Sequence, residues 1–352
     1  MYIRTVPIIE KEAITGKTSY QLNTISHQYR IAAIKIVVSG LGHATQTAIT
    51  ERALFDMMTY SVNGATVLYN VKSRTSRALS IFDWRHPPAE YTTTTTTQET
   101  FESFEINFMD ATHPYGLPSA PYINSSTLNL AINATNLGYM TTASYISVYV
   151  DYIIDAPLQA DNERILCVIA APDYSAGTTQ YNEELSFLGQ NDTLHSIIAY
   201  QSVIHANYYN VWKLTRGGQI VVQTYQLNPL TNWRFKAMES LGYAELVAAG
   251  EATTAYMLWE IGDWPTSGRM RVQIDRAASA TLEITAVFSR PVKAIMSESI
   301  IGNGVGAGLP LVGGVQQGTV VTPRANYSPM TGTMSKKPAL IQLGKRRQYG
   351  MV

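Results

Sequence analysis

Apolar and polar residues alternate along this chain in short runs closed by turn residues, which is the period-two signature of half-buried β-strands rather than the 3.6 period of helices. Tyr29 to Val38 is rich in β-branched residues and stops at Ser39-Gly40, so it reads as a strand. Asn63-Gly64 is a tight-turn pair, and the strand Ala65 to Val71 follows it. Phe101 to Phe108 and Thr127 to Asn133 alternate in the same way. After a turn at Asn136-Leu137-Gly138 comes the long run Ala143 to Ile154, closed by Asp155-Ala156-Pro157. Ile49 to Tyr60 fits either a short helix or a strand. Residues 83–100, with Arg85-His86-Pro87-Pro88, and the proline-rich residues 112–126 read as loops.

The second half repeats the style. Arg164 to Ala171 is a strand apolar on both faces, and Pro172 to about Asn191 is a polar loop. Ile197 to Val211 and Ile220 to Tyr225 are strands split at Arg216-Gly217-Gly218. Lys236 to Gly250, rich in Ala, Glu, Leu and Met, predicts a short helix. Tyr256 to Ile261 is a strand stopped by Gly262-Asp263-Trp264-Pro265, and Arg269 to Asp275 and Thr281 to Phe288 complete the body. Each half closes on a hydrophobic strand, a turn, a β-branched strand and a proline: residues 127–157 in one, 269–291 in the other. Two such units predict an all-β chain of two tandem jelly rolls, each of eight strands in two sheets. The first covers residues 26–157 and the second 158–296. A polar N-terminal arm, residues 1–25, and a Gly/Pro-rich C-terminal arm, residues 297–352, flank them.

Composition narrows the function. Of 352 residues 45% are hydrophobic and only 15% charged, against about 25% in ordinary soluble domains. Lys plus Arg and Asp plus Glu are 26 each, so the net charge is zero, which suits a molecule packed against copies of itself. Tyrosine, at 22 against 8 Phe and 5 Trp, fits both sheet packing and wet interfaces. The single cysteine, Cys167, lies in an apolar run and reads as a buried hydrophobe. Neither a secretory signal nor a transmembrane helix is expected, so synthesis in the cytoplasm follows.

In its size, its tandem all-β halves, its loops rich in Thr, Asn and Pro, and the helix candidate late in the second half, the chain resembles the double jelly-roll major capsid proteins of the adenovirus–tectivirus lineage. It is most similar to those of small membrane-containing bacteriophages, corticovirus-like or the lipid-containing phages of flavobacteria. The resemblance spans residues 25–295 and carries no signature motif. It implies a non-enzymatic major capsid protein in the virion: homotrimers of six rolls forming pseudo-hexagonal tiles of an icosahedral shell, over an internal membrane. The implied partners are neighbouring trimers, minor capsid, penton and membrane proteins.

Candidate chemistry is sparse. The basic residues Lys336, Lys337, Lys345, Arg346 and Arg347 suit either the packaged genome or an anionic inner membrane, or simply keep a tail soluble. Asp151, Asp155, Asp161 and Glu163 gather at the junction of the halves and would suit structural calcium or a solvated linker; no other cofactor is expected. Gly302-x-Gly304-x-x-Ala307 lacks the strand–helix setting of a dinucleotide site. The histidines, His27, His43, His86, His113, His195 and His205, show no helical metal spacing. The alternatives are a carbohydrate-binding or carbohydrate-cleaving β-sandwich with Trp233, Trp259 and Trp264 exposed as its platform, and a viral spike or fibre.

Overall fold

The computed structural model describes residues 1–42, 53–64, 66–82, 90–91, 93, 95–110, 113–137, 143–157, 163–172, 180–201, 209–227, 256–266, 269–276 and 281–295. The first half builds β1 (Tyr2–Ala13), β2 (Ser19–Leu22), β3 (Arg30–Leu41), β4 (Phe55–Val62), β5 (Thr66–Val71), helix α1 (Ser73–Phe82), β6 (Glu90–Tyr91), β7 (Glu99–Asn107), β8 (Ser126–Ile132) and β9 (Tyr145–Ile154). The second builds β10 (Arg164–Ala170), β11 (Gln180–Glu184), β12 (Thr193–Gln201), β13 (Tyr209–Arg216), β14 (Gln219–Leu227), β15 (Tyr256–Pro265), β16 (Met270–Arg276) and β17 (Leu282–Pro291).

Three sheets result, ordered β1-β9-β3-β7-β6, β15-β12-β17-β10-β5-β4-β8-β2, and β11-β16-β13-β14. The middle sheet belongs to both halves. Its β5-β4-β8-β2 part faces the first sheet, with Phe55 of β4 edge-on to Phe104 of β7 at 5.2 Å. Its β15-β12-β17-β10 part faces the third sheet, with Trp259 of β15 edge-on to Trp212 of β13 at 5.1 Å. The expected tandem jelly rolls are therefore present, side by side, and joined by the single parallel pairing in the molecule's described ladders, Val168↔Tyr69 and Ile169↔Asn70 between β10 and β5. Alternation explains each face: in β7 Thr100, Glu102, Phe104 and Ile106 are buried while their neighbours are half exposed. Strands β10 and β17 sit centrally and are buried on both faces, which is why Ile165 to Ala170 is a continuous apolar run, while β17 also encloses Glu283, Thr285 and Ser289.

Several expectations need correction. Residues 1–25 are not a free arm: β1 makes a full ladder with β9, from Tyr2↔Ile154 to Ala13↔Tyr145, and β2 pairs with β8. Backbone hydrogen bonds hold β1, and its side chains are mostly exposed, so no apolar alternation announced it. The loop expected at 172–191 contains β11, a five-residue edge strand on β16 with only Tyr181 fully inside. Ile197 to Val211 is two strands, not one, and Ile49 to Tyr60 resolves in favour of strand from Phe55 onward. Strand β15 does not stop at Gly262; Gly262 takes φ +80° and the ladder continues to Thr193↔Pro265 past a bulge in β15 itself, where Ile261, Gly262 and Asp263 stand opposite His195. The Asn63-Gly64 turn is as expected, both residues at positive φ (50° and 89°). The helix expected at Lys236 to Gly250 and the C-terminal arm lie outside the described residues.

Helix α1 has no apolar period. Its Ser73, Thr75, Ser76, Arg77 and Ser80 are all buried; Ser73, Ser76 and Arg77 bond inward, and Ser80 Oγ donates back to the Ser76 carbonyl at 3.1 Å. Ser73 Oγ bridges the backbone N–H and carbonyl of Phe55, Ser76 Oγ donates to Glu105 O at 3.1 Å, and Arg77 forms a wholly buried ion pair with Glu102.

Candidate functional site

What the described residues build is a seam between rolls and a set of outward surfaces. The seam is tied at both ends. Where the chain crosses from the first roll to the second, Arg30 at the start of β3 pairs with Glu163 and donates Nε–H to Tyr115 O at 2.7 Å. Asn63 Nδ2 donates to the carbonyls of Tyr122 at 2.8 Å and Ile295 at 2.5 Å, fastening the end of the second roll to the first. His113 of the first roll and His195 of the second meet edge to face at 5.8 Å, each ring Nδ1 on a carboxylate, Asp110 at 2.8 Å and Asp263 at 2.6 Å. At the far end the buried Glu283 of β17 accepts Lys72 Nζ at 2.8 Å and pairs with Arg74, whose guanidinium lies 4.0 Å over the Tyr200 ring. Breaking one partner of a buried pair leaves an uncompensated charge, so these ties fix the relative placement of the rolls more firmly than surface pairs would.

At the crossing end a cleft of about 390 Å³ opens in the first roll, lined by Tyr29, Pro121, Tyr122, Ile153 and Pro157 with Asp155 at its rim. Around it Met1, Tyr2, Ile3 and Tyr29 are exposed, and the register puts them together: Tyr2 and Ile3 pair with Ile154 and Ile153, and Arg30 pairs with Ile153 from the other side. The free edge of β1 is blunted instead of sticky. It carries Pro7, the charges of Arg4, Glu10, Lys11 and Glu12, bulges on both sides of Ile9, and Lys11 at φ +50°. In the second roll the two-residue turn Gly217-Gly218 ends the β13–β14 hairpin, beside which Ile220 is 58% exposed.

The sequence candidates fare unevenly. Lys336, Lys337, Lys345, Arg346 and Arg347 lie outside the described residues, as do Asp161 and Trp233. Asp151 is buried in the first sheet, where it accepts from Thr5 Oγ1 at 2.6 Å and Lys35 Nζ at 2.7 Å, and Glu163 is taken by Arg30; the junction acids are thus dispersed into separate ties, and no group of three metal-ligating side chains converges among the described residues. Trp259 is not an exposed platform: it is 7% exposed, packed on Trp212. The reading of Cys167 holds; it is wholly buried, and burial pushes its thiol up to about 12. His27 is buried against Ser126 Oγ at 2.8 Å, and loss of solvent pulls its imidazole down to about 4. Reading the chain alone missed Arg30, Lys72, Arg74 and Glu283, although Glu283 left a trace: the one charge in the mainly apolar run Leu282 to Phe288.

The arrangement defines a class, the double jelly roll, and solved structures of that class share it. The major capsid protein of Sulfolobus turreted icosahedral virus matches with a TM-score of 0.60 and 11% identity, over 83% of this chain and 97% of that one. The major capsid protein P2 from bacteriophage PM2 matches at 0.51 and 10%, covering 82% and 97%. PBCV-1 Vp54, as fitted into a reconstruction of the virophage Sputnik, matches at 0.55 and 10%, covering 82% and 93%. At such identities the likeness is one of fold. No protein-family model matches the chain, and no curated protein matches it in sequence.

Proposed function

We propose that this chain is the major capsid protein of an icosahedral virus, working by self-association and not by catalysis, and residing in the virion. The observation that carries the reading is the pair of rolls fused through one eight-stranded sheet, shared along nearly the full length of capsid proteins from three different viruses. Low charge and zero net charge support it, since repulsion between copies is small. Three copies place six rolls in a pseudo-hexagonal ring, and contacts between rings extend the lattice. Minor capsid, penton and membrane proteins fill its special positions. The basic residues Lys336, Lys337, Lys345, Arg346 and Arg347 serve as the contact to an anionic inner membrane or to packaged genome.

Native mass spectrometry tests this directly. A trimer of three times 38.8 kDa is expected. A strict monomer at every concentration, with no particles in electron micrographs, would overturn the proposal. Neutralising the five tail cations leaves the trimer intact and weakens binding to anionic vesicles or nucleic acid in a salt-dependent way.

A further inference from the structure

The β13–β14 hairpin and the first-roll cleft are complementary, and we infer that the hairpin tip of one copy plugs the cleft of the next. The inference rests on the self-association reading above and names the contact that would carry it. The knob is well defined. Gly217 and Gly218 take φ of 56° and 87°, and a Cβ built at either would meet nothing within 4 Å, so the tip stands in open space. Ile220, an apolar β-branched residue, is exposed beside it. The hole has an aromatic and apolar wall, Tyr29, Pro121, Tyr122, Ile153 and Pro157, with the polar Gln28, Arg30, Ser119 and Asp155 completing it.

Height and charge both agree. The cleft residue Arg30 pairs with Glu163, the residue before β10. From there Arg164 pairs across to Pro291, Ser289 to Thr193, and Thr193 to Pro265. Arg216, at the hairpin tip, donates to Pro265 O at 3.3 Å. Knob and hole therefore lie at the same end of the molecule, one on each roll. The tip carries Arg216, with the largely exposed Arg269 beside it, 3.5 Å from Glu184, and the cleft carries Asp155, which pairs with no cation among the described residues. Because knob and hole are different surfaces, the contact is heterologous, and rotation through three copies closes it into a ring.

Engineered cysteines test the contact cleanly, since Cys167 is buried. In the full chain, Ser119→Cys with Ile220→Cys is expected to give covalently closed trimers on mild oxidation. The pair Tyr145→Cys with Ile220→Cys, which uses the opposite end of the first roll, stays uncross-linked. Ile220→Asp lowers trimer affinity about tenfold or more, as loss of a buried interface anchor does. Asp155→Arg weakens the trimer, and adding Arg216→Glu restores it. A wild-type trimer that Ile220→Asp leaves unchanged, or that cross-links no better through Ser119 than through Tyr145, overturns the inference and leaves the capsid reading standing. A wild-type chain that never trimerises removes both. Protection of the Ser119→Cys thiol by phosphatidylglycerol vesicles but not by assembly would give the cleft to lipid and overturn the inference as well.

Discussion

The two rolls share an architecture but fill it differently. The first encloses ionisable groups: the Arg77–Glu102 pair spans helix α1 and β7 with both side chains sealed from solvent, and His27 sits among Ser126 and Tyr60. The second is apolar at its centre, where Trp212, Trp259, Cys167 and the Ile and Val residues of β10 and β17 pack. Its buried carboxylates lie toward the ends: Asp192 near the crossing end, held by Arg290 Nη2 at 2.8 Å and the Gly189 N–H at 2.7 Å, and Glu283 at the far end. Facing sheets with alternating side chains are sufficient for the fold; the charges enclosed decide how each roll responds to substitution and to acid.

The largest contrast is expected from Glu102→Ala. It strands the Arg77 guanidinium in the interior and should cost about 3–5 kcal/mol, whereas Arg77→Met with Glu102→Leu should recover most of that; urea midpoints read both. Acid gives the next effect. His27 holds its proton at about 4 in the fold against 6.5 in the open chain, so the unfolded state binds the proton first and stability falls as pH drops from 6.5 toward 4. About 3 kcal/mol is at stake, and His27→Gln should flatten this part of the pH profile. Equal acid sensitivity in the variant would assign the effect elsewhere. The smallest change is expected in the second roll: Cys167→Val, a near-isosteric apolar swap, should cost under about 1.5 kcal/mol. In the wild type, thiol labelling of Cys167 times the opening of that roll, and its acceleration by Glu102→Ala would mean that the rolls open together.

Much of the body was legible because burial on one face writes a period of two into strands such as β3, β7, β8 and β9. What escaped was held by something other than apolar burial. Strand β1 relies on its backbone ladder, α1 on inward-bonding Ser and Arg, and β11 on one buried tyrosine. The seam was illegible for another reason: Arg30 and Glu163, or Lys72 and Glu283, lie more than a hundred residues apart, and only the fold brings them together. The same distance hid the cleft, whose walls come from three separate segments.

The sheet common to both rolls has a mechanical consequence. With β5 and β10 hydrogen-bonded and the joint clasped at each end, parting the described strands of one roll from those of the other would break backbone hydrogen bonds as well as ion pairs. Any motion between the two rolls is therefore opposed by the shared sheet itself, and not by side-chain packing alone.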